Sequence, residues 1–168
     1  MHQAPACCSL LLPQTCRVAD RWRATACLRQ CFAALALLPA AQLGVEMLAD
    51  VLALLPDSVQ QLPQHAAWQG QCMEVVCSQA ATAGAALLPV LLQLFGDVHA
   101  LLTSPGLLQQ FKNLPFAAVS AWAGSGELTV DSENSVAVAL GVWTAGRQGK
   151  KSSKAQLREL SGLLRVCT

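Results

Sequence analysis

Charged side chains are scarce in this sequence of 168 residues, and tyrosine is missing altogether. Asp, Glu, Lys and Arg make up 12% of the chain, about half of the ~25% that is usual in globular domains. Aromatic residues supply 5%, whereas hydrophobic residues as a group supply 54%. A chain with so few charges must bury most of each helix or present an apolar face to a partner. Its length is that of one domain and allows a sizeable core.

Basic groups are too few, and too poorly mixed with aromatic residues, for a nucleic-acid-binding surface. The formal net charge is +1, but it is unevenly distributed. Residues 17–29 carry a net charge of +3, residues 30–146 carry −7, and residues 147–165 carry +5. We interpret the two basic segments as solvated helix faces on either side of an acidic middle. We therefore expect no nucleic-acid partner.

We do not expect the N-terminal segment to be a secretory signal, because it has no basic stretch and its short apolar run is interrupted by Pro13. The eight Cys are therefore interpreted as reduced thiols of a cytoplasmic or nuclear protein. Cys27 and Cys31 share one helix face, and Cys72 and Cys77 lie five residues apart. Neither pair has the Cys-x-x-Cys spacing of a structural zinc site. Two pairs of core cysteines, without a metal, are expected.

No arrangement of side chains suggests a reaction. Asp97 and His99 place a carboxylate near an imidazole, but no Ser or Cys is positioned as a nucleophile. The Gly-Ser-Gly segment at 124–126 is followed by Glu127, which would repel a phosphate. We therefore expect no catalytic, cofactor-binding or metal-binding residues, and a protein that is not an enzyme.

Strand-like alternation is lacking too, whereas apolar residues recur at three- and four-residue spacing along the chain. This spacing, with stop signals at Pro and Gly, predicts an all-α fold, an array of short antiparallel helix pairs. Residues 1–16 are expected to be an irregular leader, and residues 146–153 a flexible basic loop. The main predicted helices cover residues 18–38, 43–55, 66–80, 116–123, 131–145 and 154–165.

Several helix ends carry recognisable capping residues. Ser104 followed by Pro105 predicts a helix start, since Ser caps free amides and Pro suits the first helical position. Gly124 is expected to end a helix in the left-handed conformation. Asp131 or Ser132 is expected to cap the next helix, with Glu133 in its first turn favouring the helix dipole.

One uncharged stretch, residues 75–95, has the length of a membrane-spanning helix. Polar residues dilute it, and Pro89 removes a helical hydrogen bond near its middle. We therefore favour two short buried helices that break near Gly84 or Pro89. A membrane-associated helical protein that uses this stretch is the alternative interpretation.

The segment from residue 111 to residue 143 has a distinctive order: a Phe, a Leu-Pro pair, a short helix, an extended Glu-Leu-x-Val, a Ser-Glu pair and a helix that ends in Trp. Its residues are Phe111, Leu114, Pro115, Glu127, Leu128, Val130, Ser132, Glu133, Val136, Ala139 and Trp143. This order resembles the BACK domain, the Kelch-associated helical domain that follows BTB domains. The later Leu157, Leu160, Leu164 and Arg165 resemble the family's next helix.

Upstream, residues 17–38 resemble the last helix of a BTB domain, through Val18-Ala-Asp-Arg-Trp22 and the following Cys27, Leu28 and Cys31. Residues 39–168 are then BACK-like, and we expect that domain to be incomplete at its C-terminus. The resemblance implies a non-catalytic scaffold in a substrate adaptor of cullin-based ubiquitin ligases. Its implied partners are the cullin scaffold, contacted in part through residues 35–56, and a ligase substrate held by a further module.

Overall fold

The computed structural model describes the backbone of residues 7–163 and the side chains of residues 11–132 and 134–163. Within residues 7–163 the fold is all-α, as predicted, and contains no named strand. The α-helices are α1 (Cys7–Arg21), α2 (Thr25–Leu35), α3 (Val45–Leu54), α4 (His65–Gln79), α5 (Leu87–Phe95), α6 (Val98–Thr103), α7 (Pro105–Lys112), α8 (Phe116–Ala123), α9 (Glu133–Ala145), α10 (Arg147–Lys151) and α11 (Lys154–Leu163). Short 3-10 turns cover Ala40–Gln42, Asp57–Gln61 and Gly84–Ala86.

The chain divides into two compact units, and the boundary between Val75 and Val76 falls inside α4. The divisions expected from the sequence, after residues 16 and 38, do not coincide with this boundary. Residue 16 lies within α1, and residue 38 lies in the connection that follows α2. Because α1 packs against α2 and α3, residues on both sides of each expected division share one core.

The expectation of an irregular leader over residues 1–16 is wrong for residues 7–16, which belong to α1. Pro13 lies inside this helix and removes one of its hydrogen bonds. The helix persists because its inner face, with Pro13, Cys16 and Ala19, is buried. Packing of an apolar face contributes more to helix stability than intrinsic propensity does, so the local signal of Pro13 was misleading.

The single helix expected over residues 18–38 is also wrong, because the chain turns at Arg23 and separates α1 from α2. Arg23 has a φ of 55°, in the left-handed region that normally favours glycine. Its amide donates to the Asp20 carbonyl at 2.9 Å, and the Ala24 amide donates to the Ala19 carbonyl at 2.8 Å. These two bonds form a Schellman cap. No glycine marks it, so the sequence does not reveal where α1 ends.

Two helices of the first unit begin and end within a few residues of the positions that the sequence predicts. α3 lies inside the predicted 43–55, and α4 matches the predicted 66–80 within one residue. Trp68 packs edge-on against Phe32 with ring centroids 6.4 Å apart. Gln71 donates its amide to the Ala36 carbonyl at 2.7 Å and so ties α4 to the end of α2. The core of this unit includes Leu28, Phe32, Leu35, Leu43, Leu48, Val51, Val59, Trp68, Cys72 and Val75.

The uncharged stretch 75–95 is divided between two helices, as favoured above. α4 ends at Gln79 and α5 begins at Leu87. The interruption contains Gly84, whose φ of 53° lies in the left-handed region that favours glycine. Pro89 lies in the first turn of α5, where its missing N–H costs little. No helix in the described part of the chain combines the length and the apolar character that a membrane crossing requires.

In the second unit α5 packs on α8, α6 contacts α7 and α9, and α11 lies against α8. The predicted start at Ser104 is confirmed, since its hydroxyl accepts the Leu107 amide at 3.5 Å and Pro105 opens α7. The left-handed end predicted at Gly124 is wrong, because its φ is −76°. There the chain turns through the Ser125 hydroxyl, which accepts the Glu127 amide at 3.1 Å. A serine hydroxyl that accepts the amide two residues later forms a tight turn of its own.

The flexible basic loop expected over residues 146–153 is wrong as well, because residues 147–151 form the helix α10. This helix packs directly on α9. Gly149 is buried, and a Cβ at this position would collide with the Thr144 backbone. The glycine therefore allows a close helix contact here, although in the sequence it is indistinguishable from a loop glycine.

Candidate functional site

Three aromatic side chains form a buried cluster in the second unit. The rings of Phe95 and Phe111 lie 5.7 Å apart, and those of Phe111 and Trp122 lie 4.8 Å apart. Both pairs meet edge to face, at interplanar angles of 68° and 66°, which is a favourable arrangement for aromatic rings. The cluster brings α5, α7 and α8 together around rings that are at most 1% exposed.

Two indole N–H groups in this unit bond to main-chain carbonyls at helix ends. Trp122 donates to the Phe95 carbonyl at 2.9 Å, at the last residue of α5. Trp143 donates to the Leu114 carbonyl at 2.9 Å, in the turn between α7 and α8. A buried carbonyl at a helix end needs such a partner because it has no further helical amide to accept from. Each Trp therefore fills space and also fixes where one helix lies on another.

The residues of the distinctive order fall into a buried and an exposed group. Phe111, Leu114 and Trp143 are fully buried, and Pro115 precedes α8 as its N-cap. Leu128 is half-buried, whereas Val130 is 40% exposed and so is not a core residue. Ser132 is the N-cap of α9, and Glu133 is its first residue. Arg165, which belongs to the later part of the resemblance, lies outside the described residues.

The start of α9 is capped differently from the expectation. The Ser132 hydroxyl makes no bond to a helix amide; it lies 3.1 Å from the Ser135 hydroxyl instead. Asp131 accepts the Ser135 hydroxyl at 2.5 Å and the Ser132 amide at 2.8 Å. Both hydrogen bonds hold the pKa of Asp131 below its ordinary value of 3.8, and the bond from Ser135 has the larger effect. Ser135 is the residue here that the sequence did not single out.

His99 meets a different carboxylate from the one nearest to it in sequence. Its Nδ1 atom lies 3.6 Å from an oxygen of Asp131, and both side chains are more than half exposed. Asp97 instead caps α6 by accepting the Ala100 amide at 2.9 Å. In nucleophilic catalysis an imidazole stands between the nucleophile and the carboxylate. Here Asp131 stands between Ser135 and His99, so the hydroxyl is not aligned with a base.

A short extended segment joins the two sides of this polar corner. Thr129 and Asp97 form an isolated parallel bridge. The Thr129 amide donates to the Gly96 carbonyl at 2.8 Å, and the Val98 amide donates to the Thr129 carbonyl at 3.0 Å. The sequence predicts the extended segment 127–130 but not its pairing partner, because one paired residue leaves no periodicity. This bridge is what brings Asp131 to His99.

The cysteines do not form two core pairs, contrary to the expectation. Cys16 and Cys72 are buried, but Cys27 and Cys77 are exposed. Burial raises the pKa of Cys16 to about 11 and that of Cys72 to about 12, so both are neutral thiols at physiological pH. The Sγ atoms of Cys27 and Cys31 lie 3.9 Å apart. Among the described residues no group of three or more His, Cys, Asp or Glu could hold a metal ion.

The first unit contains a cavity of about 510 Å³ beside the α1–α2 turn. Its polar lining includes Asp20, which accepts the Ser58 hydroxyl at 2.5 Å. Arg23 and Arg29 line it too, but both side chains are exposed. No sequence pattern indicates this cavity, since it depends on the unmarked turn at Arg23. No described residue in its lining has the buried, unpartnered polar atom that would indicate a ligand.

In the described part of each unit, the polar side chains named above cap helix ends and turns, and the aromatic side chains pack in the core. The comparison with protein-family models gives no match, and neither the comparison with curated proteins nor that with solved structures gives one.

Proposed function

We propose that this chain is a non-catalytic helical scaffold of the BACK type. It holds a substrate-binding module at a set distance and angle from a cullin-based ubiquitin ligase. The observation that carries the proposal is the bond from the Trp143 indole to the Leu114 carbonyl. It joins the two ends of the segment 111–143, whose residue order resembles the BACK domain. The Leu-Pro turn and the terminal Trp are thus packing partners, which gives that order a physical role.

A spacer of this kind must be stiff, and the second unit has the contacts for it. The cluster of Phe95, Phe111 and Trp122 and the two indole bonds tie helices together by directional contacts. Edge-to-face rings and buried hydrogen bonds fix orientation, whereas plain aliphatic contacts tolerate sliding. We infer that the angle between successive helices in this unit is held firmly enough to position an attached module.

Contact with the cullin is assigned by resemblance to residues 35–56 of the first unit. Leu37 lies in this stretch and is 80% exposed. Replacing a large aliphatic side chain that is this exposed changes the stability of the protein little, yet such a side chain can contribute to an interface. It is therefore the residue of choice for testing the assignment.

The test is to fuse the full chain behind an intact BTB domain and to measure the affinity of the fusion for a purified cullin. We expect tighter binding than by the BTB domain alone, and a loss of about tenfold on Leu37→Glu. Val138→Glu is the matched control, because Val138 is 53% exposed and lies in the second unit. Equal affinities of the fusion and the BTB domain alone would show that the proposal is wrong.

A further inference from the structure

The outer face of α1 carries three large apolar side chains that the described chain leaves in solvent. Leu11 is 58% exposed, Val18 is 56% exposed, and Trp22, which directly follows the helix, is 78% exposed. Spacings of seven and four residues place them in one row along the helix. We call this row, with the two arginines described below, the α1 outer face.

The exposure of Trp22 is unusual within this protein. The other three Trp residues, all in the described part of the chain, are at most 2% exposed. The opposite side of α1 is already buried, with Cys16 and Ala19 at most 4% exposed. The helix therefore has apolar side chains on two sides, and the residues that the structure describes cover one of them. An exposed Trp in a row of apolar side chains is the composition of a binding hot spot.

Positive charge borders this row. Arg21 lies one helical turn from Val18, and Arg17 lies one turn from Arg21, so the two guanidinium groups follow one edge of the row. Both side chains are exposed, and neither forms an ion pair with any residue that the structure describes. The surrounding residues 17–29 have a net charge of +3. A partner that covers the row is therefore favoured if it brings carboxylates to this edge.

We propose that the α1 outer face binds an acidic amphipathic helix of another protein. Apolar side chains of that helix, spaced by three or four residues, cover Leu11, Val18 and Trp22. Its Glu or Asp side chains pair with Arg17 and Arg21 along the edge. This proposal rests on exposure and charge in α1 and not on the cullin contact, which is assigned to residues 35–56.

A second copy of the chain is a less suitable occupant. In an antiparallel symmetric pair of α1 helices the same surface faces itself, and the arginine edges of both copies lie on the same side of the contact. Like charges in such an arrangement oppose association. An anionic membrane would also complement the arginines, but a row of only three apolar side chains gives a shallow insertion. A protein helix, whose side chains can fit around Trp22, uses this surface most fully.

The test uses the full chain and two libraries of synthetic amphipathic helices of about four turns, with identical apolar faces but flanked by Glu in one and by Lys in the other. Fluorescence anisotropy of labelled peptides gives the affinities. We expect the Glu library to yield binders whose affinity falls steeply with salt, and the Lys library to yield none. Because the chain lacks Tyr and Trp22 is its one exposed Trp, binding should shift its fluorescence to shorter wavelength.

Variants locate the contact. Trp22→Ser and the pair Arg17→Glu with Arg21→Glu should each weaken binding by about tenfold or more. The matched controls are Val138→Ser, an exposed apolar position on α9, and Arg158→Glu, an exposed arginine on α11; both should bind as the unaltered chain does. Circular dichroism spectra that match the unaltered chain exclude unfolding as the cause.

Four outcomes would overturn the proposal. These are equal binding of the Glu and Lys libraries, absence of binders in the Glu library, and binding that survives Trp22→Ser. The fourth is evidence that another occupant covers the α1 outer face. A second copy would be shown by a dimer that Trp22→Ser dissociates in analytical ultracentrifugation, and a membrane by recruitment to phosphatidylserine vesicles that Trp22→Ser abolishes.

Discussion

The segment from Phe111 to Trp143 and the outer face of α1 both contain apolar residues at helical spacing and a Trp near a helix end, but the described chain covers only the first. Trp143 is fully buried and bonded to a carbonyl, whereas Trp22 is 78% exposed. The difference does not come from local propensity, since both lie in or beside well-formed helices. It shows that helical spacing identifies an apolar face but not whether the chain itself supplies a surface to cover it.

Alanine substitution should separate the two regions most strongly. Trp143→Ala should lower the free energy of unfolding by about 3–5 kcal/mol, because a large buried ring and its hydrogen bond are removed. Trp22→Ala should change it by less than about 0.5 kcal/mol, as is usual for an exposed site. Chemical denaturation of both variants makes the measurement. A loss below about 1 kcal/mol for Trp143→Ala would mean that this ring is not in the core.

Phenylalanine substitutions test how much of the first region depends on its directional bond. Trp143→Phe leaves the buried Leu114 carbonyl without its partner. Trp68 is also buried, but its indole N–H has no hydrogen-bond partner among the residues that the structure describes. Trp143→Phe should therefore destabilise by about 1–3 kcal/mol more than Trp68→Phe. Urea titration gives both values. Equal losses would indicate that ring volume alone matters, and that the indole bond does not set helix position.

A glycine in place of Arg23 tests the turn that ends α1, next to the α1 outer face. Arg23 holds the left-handed conformation at a cost that glycine does not have. Arg23→Gly should raise the free energy of unfolding by roughly 0.5–1 kcal/mol, measured by thermal and urea unfolding. Arg29→Gly, in the middle of α2, is the control and should lower it by about 1 kcal/mol. Destabilisation by Arg23→Gly would show that the Arg23 side chain itself holds the turn.

The smallest effect is expected at the start of α9, through pH. The pKa of Asp131 is below its ordinary value of 3.8, so the ionised form stabilises the fold above that pH. This stabilisation is lost as the pH falls through the lowered pKa of the folded state. Asp131→Asn should therefore flatten the acid limb of a stability profile, measured by denaturation between about pH 2 and 6. Glu127→Asn, an exposed control nearby, should leave that limb unchanged.

Much of the fold could be predicted from periodicity and helix-end residues. The all-α class, α3, α4, α8 and the start of α7 at Ser104 agree with the sequence-based expectation within a few residues. These elements are marked by signals that act within one or two helical turns. The same signals were wrong at Pro13, at Gly124 and over residues 147–151, where packing or a side-chain turn decides the backbone instead.

The candidate site shows the same division. The burial of Phe111, Leu114 and Trp143 follows from their apolar character, but the contact of His99 with Asp131 follows only from the bridge at Thr129. Residues 97 and 99 are close in sequence, yet their side chains have different partners because Asp97 is used as a helix cap. Sequence proximity is a poor guide to ion pairs, since side-chain direction depends on which element each residue ends or begins.

The all-α class, the low charge and the capping residues can all be recognised in the sequence, because spacing and caps act over a few residues. Contacts between distant parts of the chain are needed for the left-handed Arg23 at the end of α1, for the helix over residues 147–151 and for the exposure of the α1 outer face in the described chain. Such contacts leave no local pattern, since they depend on which surfaces the fold brings together.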